Sequence, residues 1–201
     1  MLNRASVVMR GPGRKLRRGI LVVALLLLCS VVALADRTVP VELQVRLMAK
    51  VAAYDRNMPK RVRGGAHLVV IHRNGDVEGS RLARRMRTAL AKESKFADSK
   101  PTVELYSYEG AASMAEMIGK RKVAIAYFAG SFDGDAKEIR RALEGMSVLT
   151  VSSNLDAVKG GIVLGIGLSS GRPKLYLNLP QARKQKVQLA PRLIKLMEVY
   201  R

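Results

Sequence analysis

The sequence predicts an α/β fold: a mostly parallel sheet with flanking helices, a C-terminal antiparallel hairpin and a closing helix. Three observations lead there. Apolar runs of strand length, "HLVVIHR", "VAIAYF" and "SVLTVS", are separated by stretches with apolar residues at helical spacing, the pattern of parallel strands joined by crossovers. Two further apolar runs, Ile162 to Leu168 and Lys174 to Leu179, are joined only by Ser-Ser-Gly-Arg-Pro, a hairpin composition. The final "APRLIKLMEVY" spaces Leu193, Leu196, Met197 and Tyr200 along one helical stripe, with Pro191 suited to the first turn.

In chain order, Thr38-Val39-Pro40 starts a helix whose stripe is Leu43, Leu47, Val51 and Tyr54, with Met48 and Ala52 beside it and Pro59 as its stop. Glu42 and Arg46, one turn apart, are spaced to pair. "PKRVRGG" reads as a basic loop before the first strand. That strand carries apolar residues continuously, as one covered on both faces does. Asp76 then caps a helix with Leu82, Met86, Ala89 and Leu90 inward and Arg81, Arg84, Arg85, Arg87 and Lys92 over the rest of its surface. Thr102 to Tyr108 is the second strand, and Ala111 to Ile118 a short helix ended by Gly119. Val123 to Phe128 is the third strand. A capped helix follows with Ile139, Ala142 and Leu143 inward and Gly145 as its stop, then the fourth strand, Ser147 to Ser152.

Ahead of this domain, Arg4, Arg10, Arg14, Lys15, Arg17 and Arg18 precede a thirteen-residue greasy run, Ile20 to Val32. A bilayer core needs about 20 residues, so the run is short for an anchor and fits a secretory signal. Ala33 and Ala35 place small residues at the two positions a signal peptidase reads, predicting cleavage after Ala35 and a periplasmic domain over residues 36–201. Cys29 follows the bulky Leu28, which disfavours lipid attachment, and Arg17-Arg18 sits in poor twin-arginine surroundings.

Of the 36 basic residues six leave with that segment and none of the 16 acidic ones does, so the remaining domain carries a formal charge of about +14. Such a charge favours anionic company: a small anion, a cell-wall polymer, lipid head groups or the acidic face of a partner. Export and the scarcity of aromatics, Phe96, Phe128 and Phe132 with six tyrosines, argue against nucleic acid. The only cysteine is Cys29, which removes disulfides, thiol catalysis and thiolate metal sites from the exported domain. Sequence leaves monomer and homodimer equally open.

Little else carries chemistry. His67 and His72 lie at the two ends of one strand and face opposite ways, so they cannot clamp a metal together. Gly165-Ile166-Gly167 with Gly171 lies within a strand rather than between strand and helix, where a dinucleotide fingerprint works. Asp133 and Asp135 read as helix caps, because calcium-loop ligands do not follow them. The expectation is no catalytic residue, no cofactor and no metal. Ser152, Ser153 and Asn154 nonetheless stand at the carboxyl end of a strand, where open α/β sheets place ligands. With Gly160, Gly161 and Arg172 they form the candidate ligand- or partner-binding set, to be weighed against a plain turn and chain reversal.

"VLTVSSN", "GGIVLGI" and "KLYLNLPQARKQKVQLAPRLIKLMEV" together resemble the YfiR-like family of periplasmic regulatory proteins. The family pattern, a "vLtVsd" strand, a Gly-Gly start to a hairpin and a strand ending Asn-Leu, falls on Val148 to Ser152, Gly160-Gly161 and Asn178-Leu179. Its alanine-rich turn falls at Ala182 and its final helix on Leu193 to Leu196. The first helix, "LQVRLMAKVAAYDRNMP", also sits where the family has one. The resemblance implies an α/β domain that contacts the outward-facing part of an inner-membrane signalling protein of diguanylate cyclase type, lowering cyclic di-GMP and biofilm formation. Two departures stand out: the exported domain lacks the cysteines of disulfide-bearing members, and Met58 replaces an aromatic before the proline. The motif residues are mainly structural, so the resemblance implies no catalytic site. The basic second helix and the exposed side of the last helix are the candidate contact surfaces.

Overall fold

A computed structural model describes residues 38–93, 96 and 99–201. The segment expected to be a cleaved signal, with Ala33 and Ala35, lies outside the described residues. The elements run α1 (Val41–Ala53), α2 (Met58–Arg61), β1 (Ala66–His72), α3 (Val77–Lys92), β2 (Pro101–Ser107), α4 (Ala111–Lys120) and β3 (Ile125–Phe128). A 3₁₀ turn at Asp133–Asp135 leads into α5 (Ala136–Ala142), followed by β4 (Leu149–Ser152), α6 (Leu155–Gly160), β5 (Leu164–Ser169) and β6 (Arg172–Asn178). Last come α7 (Leu179–Lys184), α8 (Pro191–Ile194) and β7 (Glu198–Tyr200).

The seven strands form one sheet in the order β2-β1-β3-β4-β5-β6-β7. All neighbours are parallel except β5 and β6, the antiparallel hairpin foreseen in the sequence. Its turn is tight, with Ser170 and Gly171 at φ +51° and +73°. Both faces of the central strands are covered. On β1, Leu68 and Val70 face a core shared with Val45, Met48 and Val51 of α1 and Met86 and Leu90 of α3. Val69 and Ile71 face the opposite core, built with Met114 and Ile118 of α4 and Ile139 of α5. The period-two alternation of strand side chains divides one apolar run between two cores.

Several expectations are corrected. The closing helix is a single turn, Pro191–Ile194, after which the chain turns into β7 and pairs in parallel with β6. Leu196 is therefore 72% exposed instead of inward, while Met197 is buried and Tyr200 stacks on Tyr176 with ring centroids 6.3 Å apart. The gain is backbone pairing for the outer edge of β6, which a helix there would have left open. In α1 Met48, Val51 and Ala52 are buried as expected, but the buried face is centred on Val41, Gln44, Val45 and Met48, so that Leu43 and Leu47 are only half-buried against the core and Tyr54 is exposed. Gln44 reads as a surface residue by type, yet both ends of its amide are satisfied. Nε2 donates to the Val39 carbonyl at 2.7 Å and Oε1 accepts from the Tyr127 hydroxyl at 2.7 Å. Pro59 does not stop α1. The helix ends at Ala53 and Pro59 stands second in the separate turn α2, within the first turn that proline tolerates. Helix α4 runs through Gly119 to Lys120, and α6, unforeseen, bridges β4 and β5. Asp76 does cap α3, accepting from the Gly79 amide at 2.8 Å.

Candidate functional site

The carboxyl end of β4 gathers Ser152, Ser153 and Asn154, and the chain itself takes up their polar groups. Buried Ser152 donates its hydroxyl to the Phe128 carbonyl at 3.1 Å and accepts from the Asn154 amide at 3.1 Å. Ser153 is hydrogen-bonded to the Tyr127 hydroxyl at 3.1 Å, donating to it because the single proton of that phenol goes to Gln44. Burial pushes that tyrosine up to about 12, with the Ser153 hydrogen bond opposing the shift. Asn154 caps α6 by accepting from the Asp156 amide at 2.9 Å. At the other end of that helix, Gly160 and Gly161 let α6 press on α5. A Cβ on Gly160 would stand 2.8 Å from the Ala136 Cβ, and one on Gly161 2.7 Å from the Arg140 Cβ. Gly161 also needs its φ of +132°. Arg172 is not brought to these groups by the pairing of the strands. It stands exposed beside the hairpin turn, opposite Ser169.

The strand order reverses at β1, with β2 on one side and β3 on the other, and open α/β sheets keep their ligand crevice at the carboxyl ends of such a pair. Here that crevice holds Arg73, a residue the sequence did not single out. Its guanidinium pairs with Asp135, and Nε donates to the Ser131 carbonyl at 3.2 Å. Its plane sits 4.9 Å from the Tyr108 ring centroid and 5.0 Å from that of Phe132. Asp135 thus serves an ion pair, not a cap, and Asp133 accepts from the Ser131 hydroxyl at 2.7 Å. Burial raises the Tyr108 phenol above its ordinary value, with the Arg73 cation pulling the other way. Close packing of Gly79 and Gly130 around the Asp76 carboxylate leaves a Cβ at either only about 2.2–2.3 Å from Oδ2. The crevice is filled by the protein's own ion pair and aromatic rings. No local sequence signal could have found it, because Arg73 and Asp135 are 62 residues apart and the strand order brings them together.

Outward-facing groups differ. Helix α3 buries Gly79, Ala83, Met86 and Leu90 and turns Arg84, Arg85, Arg87 and Lys92 to solvent. Arg81 pairs with Glu78 at 3.2 Å, whereas no described carboxylate lies within ion-pair reach of those four cations. Arg84, Arg85 and Lys92, with Glu93 just past the helix, line a groove of about 480 Å³, which Glu42, Val45 and Arg46 of α1 close from the other side, so cations outnumber carboxylates around it four to two. Glu42 and Arg46 share this groove without pairing to each other. Among the described residues, no group of three or more histidine, aspartate or glutamate side chains is placed to hold a metal ion. The arrangement presents fixed positive charge beside a shallow apolar floor, which suits recognition of an acidic surface.

Comparison with known proteins follows the same lines. A family model described as YfiR/HmsC-like matches residues 42–198. No curated protein matches the chain by sequence. Among solved structures, an ABC domain in complex with L-Trp from Streptococcus pneumonia superposes with a TM-score of 0.55 at 9% identity, covering 78% of this chain and 60% of that one. A conserved domain protein from Vibrio cholerae gives 0.54 at 12% identity, with 81% and 60% covered. The chain spans about three-fifths of the length of both, and at these identities the likeness is one of fold. Among the described residues no helix is long and apolar enough to cross a membrane.

Proposed function

The chain belongs to the YfiR/HmsC-like family, and from that premise we propose that it is a non-enzymatic periplasmic regulator of cyclic di-GMP signalling. Exported with residues 1–35 removed, it contacts the outward-facing part of an inner-membrane signalling protein of diguanylate cyclase type. The observation that carries the choice of surface is the face of α3, where Arg84, Arg85 and Arg87 stand exposed without a described acidic partner beside the α1–α3 groove. An acidic sensor segment laid there would gain charge complementarity, which steers encounter and selects the partner.

The second reading, an anion site made from Ser152, Ser153, Asn154, Gly160, Gly161 and Arg172, would require the first three to leave the hydrogen bonds that order β4 and α6. The surface reading asks for no such rearrangement. Its test is the cyclic di-GMP level of cells lacking the gene. The regulator reading predicts a rise that is reversed by the wild-type gene and not by one carrying Arg84→Glu, Arg85→Glu and Arg87→Glu. An unchanged level in the deletion strain contradicts it.

A further inference from the structure

A second concave surface has no part in that contact. Where α2 leads into β1 and α4 leads into β3, a cleft of about 480 Å³ is lined by Lys60, Arg61, Arg63, Lys120, Arg121 and Lys122, with His67 and two glycines completing it. No carboxylate lines it, and none of its residues lines the α1–α3 groove. Three of the cations are engaged elsewhere: Arg61 with Asp55, Lys120 with Glu116 at 2.5 Å, and Arg121 with Glu104. Lys60, Arg63 and Lys122 have no described carboxylate within ion-pair reach and are exposed. Like charges gathered around a concavity repel one another, so the cleft holds a positive potential that a bound anion would relieve.

The end of α4 adds an independent observation. A helix C-terminus carries about half a negative charge, which a single cation offsets, yet Lys120, Arg121 and Lys122 follow one another there. Lys122 sits at φ +50°, just past the cap, its amide donating to the Gly119 carbonyl at 3.2 Å. Glycine is the residue that ordinarily occupies this left-handed position, and a lysine there gives up backbone comfort for a charged side chain. The cleft volume falls in the range of roughly 300–1,000 Å³ typical of small-ligand pockets.

We infer that this cleft binds a phosphate-bearing polyanion, with Lys60, Arg63 and Lys122 supplying the free charge. A free oligophosphate and a lipid phosphate offer the same chemistry, and two arms distinguish them. One is titration calorimetry of the purified protein with sodium tripolyphosphate. The other is sedimentation with phosphatidylglycerol vesicles against phosphatidylcholine vesicles. Saturable binding in either arm is expected to weaken roughly tenfold in Lys60→Glu/Arg63→Glu. The charge-matched remote pair Lys137→Glu/Lys195→Glu, neither of which lines the cleft, should stay within about twofold of wild type. Lys122→Gly is expected to weaken binding while raising the melting temperature, which separates lost charge from lost fold. Absence of binding in both arms, or equal weakening by the remote pair, overturns the inference. Either outcome leaves the α3 contact surface untouched.

Discussion

Asp55 and Arg61 form an ion pair in the interior, with side chains 0% and 3% exposed, and the pair ties together three distant parts of the chain. The second carboxylate oxygen of Asp55 accepts from the Asn57 and Gln188 amides, each at 3.0 Å. Arg61 donates from Nε to Ser147 at 3.1 Å and from its other terminal nitrogen to the Lys186 carbonyl at 2.8 Å. Every polar atom has a partner, which is what lets two charges remain buried.

Arg61→Met strands the Asp55 carboxylate inside and is expected to cost about 3–5 kcal/mol in denaturant unfolding. Removing the exposed Lys159–Asp156 pair by Asp156→Ala should leave stability nearly unchanged, because solvent screens it. A loss at Arg61 no larger than at Asp156 would show that the interior pair does not hold these segments together.

Tyr127 sets an alkaline limit. Its phenol is pushed up to about 12 in the folded protein, against an ordinary value of about 10 when unfolded. Above pH 10 the unfolded chain releases this proton before the folded one does. The contribution is therefore fully present below pH 10 and is lost as pH rises through 12, by about 2–3 kcal/mol in total. Unfolding free energies at pH 9 and pH 11.5 should fall more steeply in wild type than in Tyr127→Phe. That variant loses the bonds to Gln44 and Ser153 at every pH but has no phenol to titrate at this position.

Gly161→Ala forces a Cβ against Arg140 at a φ of +132° and is expected to cost about 2–3 kcal/mol by overpacking and backbone strain. Asn154→Ala removes the cap of α6, at about 1 kcal/mol. Both are structural losses. Thermal unfolding should register them, while affinity for the membrane partner, measured below the transition, should not change.

Much of this was legible in the residues. The runs through β1 and β3 announce strands covered on both faces because Leu68 to Ile71 and Ile125 to Phe128 are apolar without a break, and in β4 only Thr150 interrupts Val148 to Val151. Asp76 announces α3, and the Ser-Gly turn announces the β5–β6 hairpin. Other features depend on partners far along the chain. Gln44 is inward only because Tyr127, 83 residues on, donates its hydroxyl to the amide oxygen. Glu198–Tyr200 becomes a strand only because β6 offers an open edge, and helical spacing cannot reveal that. In the candidate site, Ser152 to Asn154 were visible as polar groups at a strand end. Whether such groups face a ligand or their own backbone depends on the Phe128 carbonyl and the Tyr127 hydroxyl of the neighbouring strand. The switch-point pair Arg73–Asp135 was hidden for the same reason, since it exists only once β3 lies beside β1.

Contact between the α3 surface and an inner-membrane signalling protein is read out by co-purification from solubilised inner membranes at low salt. The wild-type protein is expected to retain a membrane protein carrying a cyclase domain, and added salt or the Arg84→Glu, Arg85→Glu, Arg87→Glu variant to release it. Recovery of no signalling protein, or equal recovery with the reversed-charge variant, would contradict it.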